Sequence, residues 1–280
     1  MTVAEALRRA EDELAAAGVD TARVDAELLV AHVLGVSRTE ALLERERELP
    51  PGLDALLERR KQREPLAYVL GEWGFRRLTL KTDERALVPR PETEIVVERA
   101  LASIAGVTEP RVLDLGVGSG AIALAVADEH PGARVTGADT SAAAIELARE
   151  NASRLGFEVE LRVGGTEVAE EGWDLVVANP PYIPQGVLTT LQPELRWEPR
   201  EALVDVGLHE EIAQRARTGA LVLEVGDGQA ANVAEILTSH GYADVTVTPD
   251  LAGVDRVVEV RGKEVQHLER PQAGVQPTVL

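Results

Sequence analysis

A strand, a glycine loop and a helix follow one another without interruption at residues 111–127, and this succession constrains the fold more than any other stretch. Arg111-Val112-Leu113-Asp114-Leu115 reads as a short buried strand, Gly116-Val117-Gly118-Ser119-Gly120 as the loop, and Ala121-Ile122-Ala123-Leu124-Ala125-Val126-Ala127 as the opening of the helix. Glycines let the backbone turn sharply and approach a ligand closely, and the helix N-terminus adds amide donors and the positive end of its dipole. From Pro91 onward the alternation repeats. Strands are predicted near 111–115, 133–138, 158–163, 173–178 and 219–225, with a last pair near 242–248 and 254–261. The helices between them include the periodic Ser141 to Leu155, stopped by Gly156. Five alternating units followed by a strand pair predict an α/β fold with a doubly wound sheet.

A second apolar run, Ala133 to Ala138, closes on Asp139, nineteen residues beyond Gly120. A carboxylate there can accept from both hydroxyls of a ribose. Gly116-x-Gly118-x-x-Ala121 also fits the dinucleotide fingerprint, so a nicotinamide enzyme competes. What separates the readings is the end of a fourth strand, where Trp173-Asp174-Leu175-Val176-Val177-Ala178 runs into Asn179-Pro180-Pro181-Tyr182. Ligands of open α/β sheets bind at the carboxyl ends of the strands. The Asn179 carboxamide oxygen and the Pro180 carbonyl can accept both hydrogens of a planar –NH2 group while the Tyr182 ring stacks on its face. Neither proline can donate, so the cup presents acceptors. The plain alternative is a strand ended by a turn. A hydride-transfer site gives no reason for such a cup, whereas adenosine binding beside it points to methyl transfer onto an amide or a nucleobase amine.

With these residues in view, the chain resembles the S-adenosylmethionine-dependent glutamine N5-methyltransferases that modify peptide chain release factors. The resemblance spans roughly residues 1 to 262. It is carried by Leu87-Val88-Pro89-Arg90-Pro91-Glu92-Thr93-Glu94, by Asp114 to Gly120, by the Asn-Pro-Pro-Tyr cup and by Arg196-Trp197-Glu198-Pro199. It implies a seven-stranded class I methyltransferase sheet with one antiparallel edge strand, S-adenosyl-L-methionine as cofactor, and the glutamine of a release factor's Gly-Gly-Gln motif as methyl acceptor. Carried over residue by residue, it places the methionine portion at Gly116, Val117, Gly118, Ser119 and Gly120 and the ribose at Asp139. The substrate glutamine falls at Asn179, Pro180, Pro181 and Tyr182. Of these, Asn179, Pro180 and Tyr182 form the catalytic set, and Asn179 also reaches the cofactor. The chain departs from the family where Gly164-Gly165-Thr166 replaces an acidic residue near the adenine, where Val117 replaces a common threonine, and in a short segment from Arg200 to Glu211. Glu92 and Glu94 are read as capping and charging the start of the helix after Pro91, and Arg90 as orienting a neighbouring loop or carboxylate. A ribosomal-protein glutamine and a nucleic-acid exocyclic amine remain alternative acceptors. A non-enzymatic adaptor would need a damaged loop or cup, and neither is damaged.

Charge bears on the acceptor. Residues 1–80 hold 12 basic and 15 acidic side chains, residues 81–280 hold 17 and 33, and the whole chain carries −19. So acidic a catalytic half repels a phosphate backbone and speaks against long nucleic-acid substrates. The chain has no cysteine, which excludes disulfides and thiolate chemistry, and its five histidines lack metal-ligand spacing and read as surface or helix-end residues, so no metal is expected. No run of eighteen apolar residues and no cleavable leader is present, so a monomeric cytoplasmic enzyme without membrane contact is expected.

The first seventy residues read as a small helical bundle that docks the substrate. Thr2-x-x-Glu5 and Ser37-x-x-Glu40 have capping-box spacing, Gly18 and Gly35 fall at helix stops, and Leu28, Leu29, Val33 and Leu34 recur at helical intervals. After Pro50-Pro51-Gly52 a last helix of about a dozen residues is predicted to end near Pro65. Arg45, Arg47, Arg59, Arg60, Lys61 and Arg63 read as a solvated surface paired with Glu44, Glu46, Glu48 and Glu58. Residues 71–90 are expected as an extended connector, 91–263 as the methyltransferase domain, and 264–280 as a disordered tail.

Overall fold

The computed structural model of the chain describes residues 1–261; the expected tail at 264–280 and the last two residues of the expected catalytic domain lie outside the described residues. Five helices come first: α1 (Val3–Ala16), α2 (Ala22–Leu34), α3 (Arg38–Leu43), α4 (Leu53–Lys61) and α5 (Leu66–Leu70). Both capping boxes form, with Thr2 and Ser37 each accepting from the N3 amide while Glu5 and Glu40 return the bond. Gly35 ends α2 in the left-handed conformation that a residue with a Cβ resists. The buried faces of α1, α2 and α4 meet around Leu14, Leu29 and Leu57. The helix expected after Pro50-Pro51-Gly52 is α4, which stops at Lys61, short of the expected end near Pro65, because the chain turns at Arg63 in left-handed backbone; Pro65 then starts a further short helix, α5, that was not expected.

Within the expected extended connector, residues 72–81 form a hairpin that packs with the sheet domain. Strands β1 (Glu72–Phe75) and β2 (Leu78–Lys81) pair antiparallel, and Phe75, Leu78 and Leu80 are buried in the same cluster as the first sheet layer. Asn151 holds the hairpin by accepting the Lys81 N–H at 2.7 Å and donating back to its carbonyl at 3.1 Å.

Beyond it run α6 (Thr93–Ile104), β3 (Arg111–Leu115), α7 (Ala121–Glu129), β4 (Arg134–Asp139), α8 (Ala142–Leu155), β5 (Glu160–Val163), β6 (Leu175–Ala178), α9 (Leu208–Arg215), β7 (Ala220–Glu224), α10 (Ala230–Ser239), β8 (Ala243–Pro249) and β9 (Asp255–Arg261). The seven-stranded sheet has the order β5-β4-β3-β6-β7-β9-β8. Strands β3 to β7 are parallel, and the near-continuous Val, Leu and Ala runs of the central β6 and β7 are what a strand covered on both faces requires. One strand is antiparallel, but it is not at the edge as expected. The tight turn at Asp250–Val254 folds β9 back so that it inserts between β7 and β8, leaving β8 outermost. The chain order reverses at β3, so the crevice between the ends of β3 and β6 is the switch point where this architecture binds ligands. No helix among the described residues is long and apolar enough to cross a membrane.

Candidate active site

A cavity of about 400 Å³ opens at that switch point. One end is built by the loop after β3 and by the end of β4. Gly116, Gly118 and Gly120 all have positive φ (79°, 53° and 90°), which side chains with a Cβ rarely adopt, so the loop needs glycine at these places. Asp139 terminates β4 and accepts the Gly118 N–H at 3.0 Å and the Ser141 N–H at 2.9 Å, which locks the loop to the strand. Each carboxylate oxygen keeps a further lone pair for a ligand hydroxyl. Burial pushes the Asp139 carboxyl upward, opposed by those two amides. Val117 and Ser119 line the cavity beside these glycines and are both buried, Val117 in the core. Beneath the loop, Asp114 is fully buried and accepts the Ala123 N–H at 2.9 Å through Oδ2, while Oδ1 has no partner; burial raises its carboxyl to about 7.

The wall expected to lack an adenine contact is formed by Gly164, Gly165, Thr166 and Glu167, with Leu208 and Ile212 of α9 also lining the cavity. Glu167 accepts the Gly165 N–H at 2.8 Å, and the Thr166 hydroxyl donates to Glu211.

At the other end stand Asn179, Pro180 and Pro181. Asn179 follows directly on β6, and its Nδ2 donates to the Thr93 hydroxyl at 3.2 Å; Thr93 donates in turn to Glu224 at 2.7 Å. Neither the Asn179 Oδ1 nor the Pro180 carbonyl has a hydrogen-bond partner among the described residues, so both acceptors are available. Tyr182 is not part of the cavity lining. Its hydroxyl reaches Glu224 at 3.3 Å, its carbonyl accepts from Gln229 at 2.8 Å, and its ring sits where a Cβ on Gly226 would be 2.9 Å away. Burial and the neighbouring Glu224 push its phenol well above the ordinary range, so it stays protonated.

A third wall, Ala86 to Arg90, is held by one buried acid. Glu198 accepts the Val88 N–H at 3.0 Å and pairs with Arg90, fulfilling the orienting role expected for that arginine. The stretch carrying Glu198 is itself tied to the helical bundle. Arg60, buried on α4, pairs with Asp25 at 2.7 Å and Glu194 at 2.9 Å, and Arg63 joins Glu194 at 2.7 Å. The reading of the basic cluster as a solvated surface is therefore wrong for Arg60 and Arg63, because their acidic partners lie far away in sequence. It holds for Arg47, paired with Glu44, and for Lys61, paired with Glu58 and Glu13.

Two further expectations concern charge. Glu92 stands at the N-cap of α6 and Glu94 in its first turn, so both charge the helix start as expected, but the expected side-chain cap does not form: Glu92 makes none, and Glu94 accepts the Arg76 N–H at 2.9 Å. His209 stands at the start of α9, a helix-end position as expected, and is buried there, with Nε2 2.8 Å from the Glu224 carbonyl; burial lowers its affinity for a second proton.

The residues that sequence reasoning missed are Glu224, Glu198 and Gln229, along with the part played by Thr93. Only Thr93 and Glu198 lay within quoted motifs; Glu224 carried one signal, an acid at the end of the otherwise apolar strand β7.

Charge around the cavity is lopsided. Arg85 is neutralised by Asp83 and Glu150, and Arg90 by Glu198, whereas Asp139 and Glu201 have no basic partner among the described residues. Such a lining suits a ligand with cationic groups and repels a pyrophosphate.

Comparison with known proteins agrees with this geometry. The family model described as PrmC N-terminal domain matches residues 5–71, and that described as methyltransferase small domain matches 93–222. The release factor glutamine methyltransferase of Deinococcus radiodurans is 41% identical, the match covering 93% of this chain and 99% of the relative. That of Caulobacter vibrioides is 38% identical over 92% and 96%, and that of Neisseria gonorrhoeae 40% over 88% and 95%. Among solved structures, the catalytic domain of human Mettl16 in complex with an RNA hairpin superposes with a TM-score of 0.52 at 15% identity, covering 65% of this chain and 74% of that one, a likeness of fold alone.

Proposed function

This chain belongs to the release factor glutamine methyltransferases, and from that premise we infer how its own residues methylate the side-chain amide nitrogen of a release-factor glutamine with S-adenosyl-L-methionine. The observation that carries the reading is a pair of acceptors without partners, Asn179 Oδ1 and the Pro180 carbonyl, beside an acidic cavity at the sheet's switch point.

The residues present fit the cofactor. The left-handed glycine loop leaves room for its methionine portion, Asp139 has lone pairs for the ribose hydroxyls, and the adenine falls to the wall of Gly164–Glu167 with the apolar side chains of Leu208 and Ile212 beside it. Asp139 and Glu201 match its positive charges. Bound there, S-adenosylmethionine supplies an electrophilic methyl group on a sulfonium.

An amide nitrogen is a poor nucleophile because its lone pair is delocalised into the carbonyl. Asn179 and Pro180 take one N–H each, which lets the nitrogen pyramidalise and directs its lone pair along the line of transfer. Holding two reactants in line is worth several kcal/mol, up to roughly 7–11 in the best-oriented cases. Pro181 lines the cup, and Tyr182, outside the cavity lining and anchored to Glu224, supports the cup from behind in place of the stacking on the amide face expected for it. The methylated nitrogen is cationic and strongly acidic, so it passes its proton to water or to an acceptor carbonyl without a dedicated base.

Substrate choice follows from the bundle. Helices α1 to α5 carry no reactive constellation, and they grip the folded factor while its Gly-Gly-Gln loop enters the cavity. The negative charge of residues 81–280 disfavours a nucleic acid as the alternative acceptor. Mass spectrometry of an intact release factor, a ribosomal-protein mixture and adenine-containing RNA, each incubated with the chain and cofactor, tests the reading. One methyl group on the Gly-Gly-Gln glutamine is expected; methylation of the RNA or of ribosomal proteins with an unmodified factor would overturn it.

A further inference from the structure

An asparagine carboxamide can sit in either of two orientations half a turn apart, and only one serves the cup. With Oδ1 toward the substrate, Asn179 accepts an amide N–H; turned over, it opposes that N–H with two N–H groups of its own. Resting on the reading of the site given above, we propose that Thr93 and Glu224, with Tyr182, form a hydrogen-bond relay that fixes Asn179 with its oxygen toward the substrate amide, which makes Thr93 and Glu224 positioning residues for methyl transfer.

The relay gathers residues from three elements. Glu224 ends β7, Asn179 follows the adjacent β6, and Thr93 opens α6, which packs across both. Thr93 is 4% exposed and Glu224 1% exposed, so water does not compete for their hydrogen bonds. An ionised Glu224 can only accept. It takes the single hydroxyl proton of Thr93 at 2.7 Å, and the phenol proton of Tyr182 points at its other oxygen at 3.3 Å. With its proton committed, the Thr93 oxygen has only lone pairs left, and it accepts an N–H from Asn179 at 3.2 Å. The carboxamide nitrogen is thus drawn to Thr93 and the oxygen is left for the substrate. Each bond dictates the direction of the next, and the direction originates at Glu224.

Ionisation of Glu224 is consequently the switch for the whole relay. Around it stand Thr93 and Glu92 from the start of α6, Tyr182 from the loop after β6, Arg256 on β9, and His209 of α9 against its carbonyl. Burial pushes the carboxyl up to about 7, with Glu92 adding to the rise while Thr93, Tyr182 and Arg256 oppose it. A protonated Glu224 donates to Thr93 instead. The Thr93 hydrogen then turns toward Asn179 and favours the carboxamide oxygen on its side, the wrong orientation for catalysis. Turnover should fall as pH drops through the Glu224 pKa.

The test measures kcat and KM of the full chain on an intact release factor from about pH 5.5 to 9, the window that brackets this group. It compares wild type with Thr93→Val, Thr93→Ser and Glu224→Gln. Thr93→Val is expected to lose about 10²-fold in kcat, the scale of a small misplacement in an active site, with KM for S-adenosylmethionine unchanged. Thr93→Ser, which restores the hydroxyl, should recover most of that loss. Glu224→Gln should be slow and should lose the acid limb of the pH profile. Wild-type kcat in Thr93→Val, no recovery in Thr93→Ser, or a persistent acid limb in Glu224→Gln would overturn the relay. Should Thr93→Val fail to fold, the Glu224→Gln profile decides in the same terms. A wild-type chain that leaves the release factor unmodified would overturn the proposed function itself, a result distinct from unaffected variants of an active enzyme.

Discussion

At the end of the cavity proposed for the cofactor, Asp139 reaches back 21 residues to hold Gly118, and two residues forward to Ser141; at the end proposed for the substrate amide, Asn179 leans on Thr93 at a separation of 86 residues and through it on Glu224 at a further 131. The first end is assembled by neighbouring turns of one β-α-β unit. The second is assembled by the tertiary fold, with a wall that hangs on Glu198 and, through Glu194, on two arginines of the helical bundle. A local site tolerates change elsewhere in the molecule, because the strand and helix flanking it fix the loop. A site built from distant groups gains a dependence on each of them, and with it a route by which docking on the bundle can be felt at the cup.

The largest effect is expected from Asn179→Ala. Removing the amide acceptor should reduce turnover by about 10²–10³-fold, the range seen when a single positioning or charge-stabilising group is deleted. Calorimetric affinity for the cofactor and the melting temperature should move little; a loss of cofactor affinity as large as the loss of turnover would merge the two ends into one. Next comes Arg60→Ala, which leaves buried Asp25 without its arginine while Glu194 keeps Arg63. Stability should fall by about 3 kcal/mol, read from denaturant midpoints, with a raised KM for the release factor and an unaltered cofactor Kd. Arg60→Ala with wild-type KM for the factor would detach the bundle from the amide end.

Asp139→Ala should weaken cofactor binding by about 1–3 kcal/mol, ten- to a hundredfold, without a comparable effect on the bound-state rate. Isothermal titration separates this from the Asn179 effect. The smallest effect concerns Asp114. Its carboxyl is raised to about 7 in the folded chain, so between the ordinary carboxylate range and about 7 the native state holds a proton the unfolded state has released. Stability therefore declines as pH rises through that window. Asp114→Asn should show a shallower decline in melting temperature over the same window, and an unchanged slope would mean that Asp114 is ionised throughout.

The same contrast explains what could be read from the residues alone. The glycine loop, Asp139, the seven strands and both capping boxes are written in contiguous sequence, and they stand where spacing placed them. Asn179 and Pro180 were legible as acceptors because the motif is contiguous too. What holds Asn179 was not, since Thr93 and Glu224 meet only after β6 and β7 pair. Glu224 offered only an acid at the end of an apolar strand. Arg60 and Arg63 looked like surface because their local neighbours are glutamates and their actual partners, Asp25 and Glu194, are brought by folding. The hairpin β1–β2 hid for a related reason: four-residue strands with glycines carry little pattern of their own, and it is Phe75, Leu78 and Leu80 packing on the core that makes them strands. The position of β9 inside the sheet was likewise set by a turn and not by its apolar pattern.

The most direct test of the two-ended site is a saturation curve. Rates of release-factor methylation are measured for wild type, Asp139→Ala and Asn179→Ala while S-adenosylmethionine is raised well past the weakened Kd. Filling the cofactor end by mass action should return Asp139→Ala to near the wild-type maximal rate, because the amide end is intact. Asn179→Ala should saturate at ordinary cofactor concentrations and remain slow at every one of them. An Asn179→Ala chain rescued by cofactor, or an Asp139→Ala chain that saturates at a low rate, would contradict the division of the site on which the account rests.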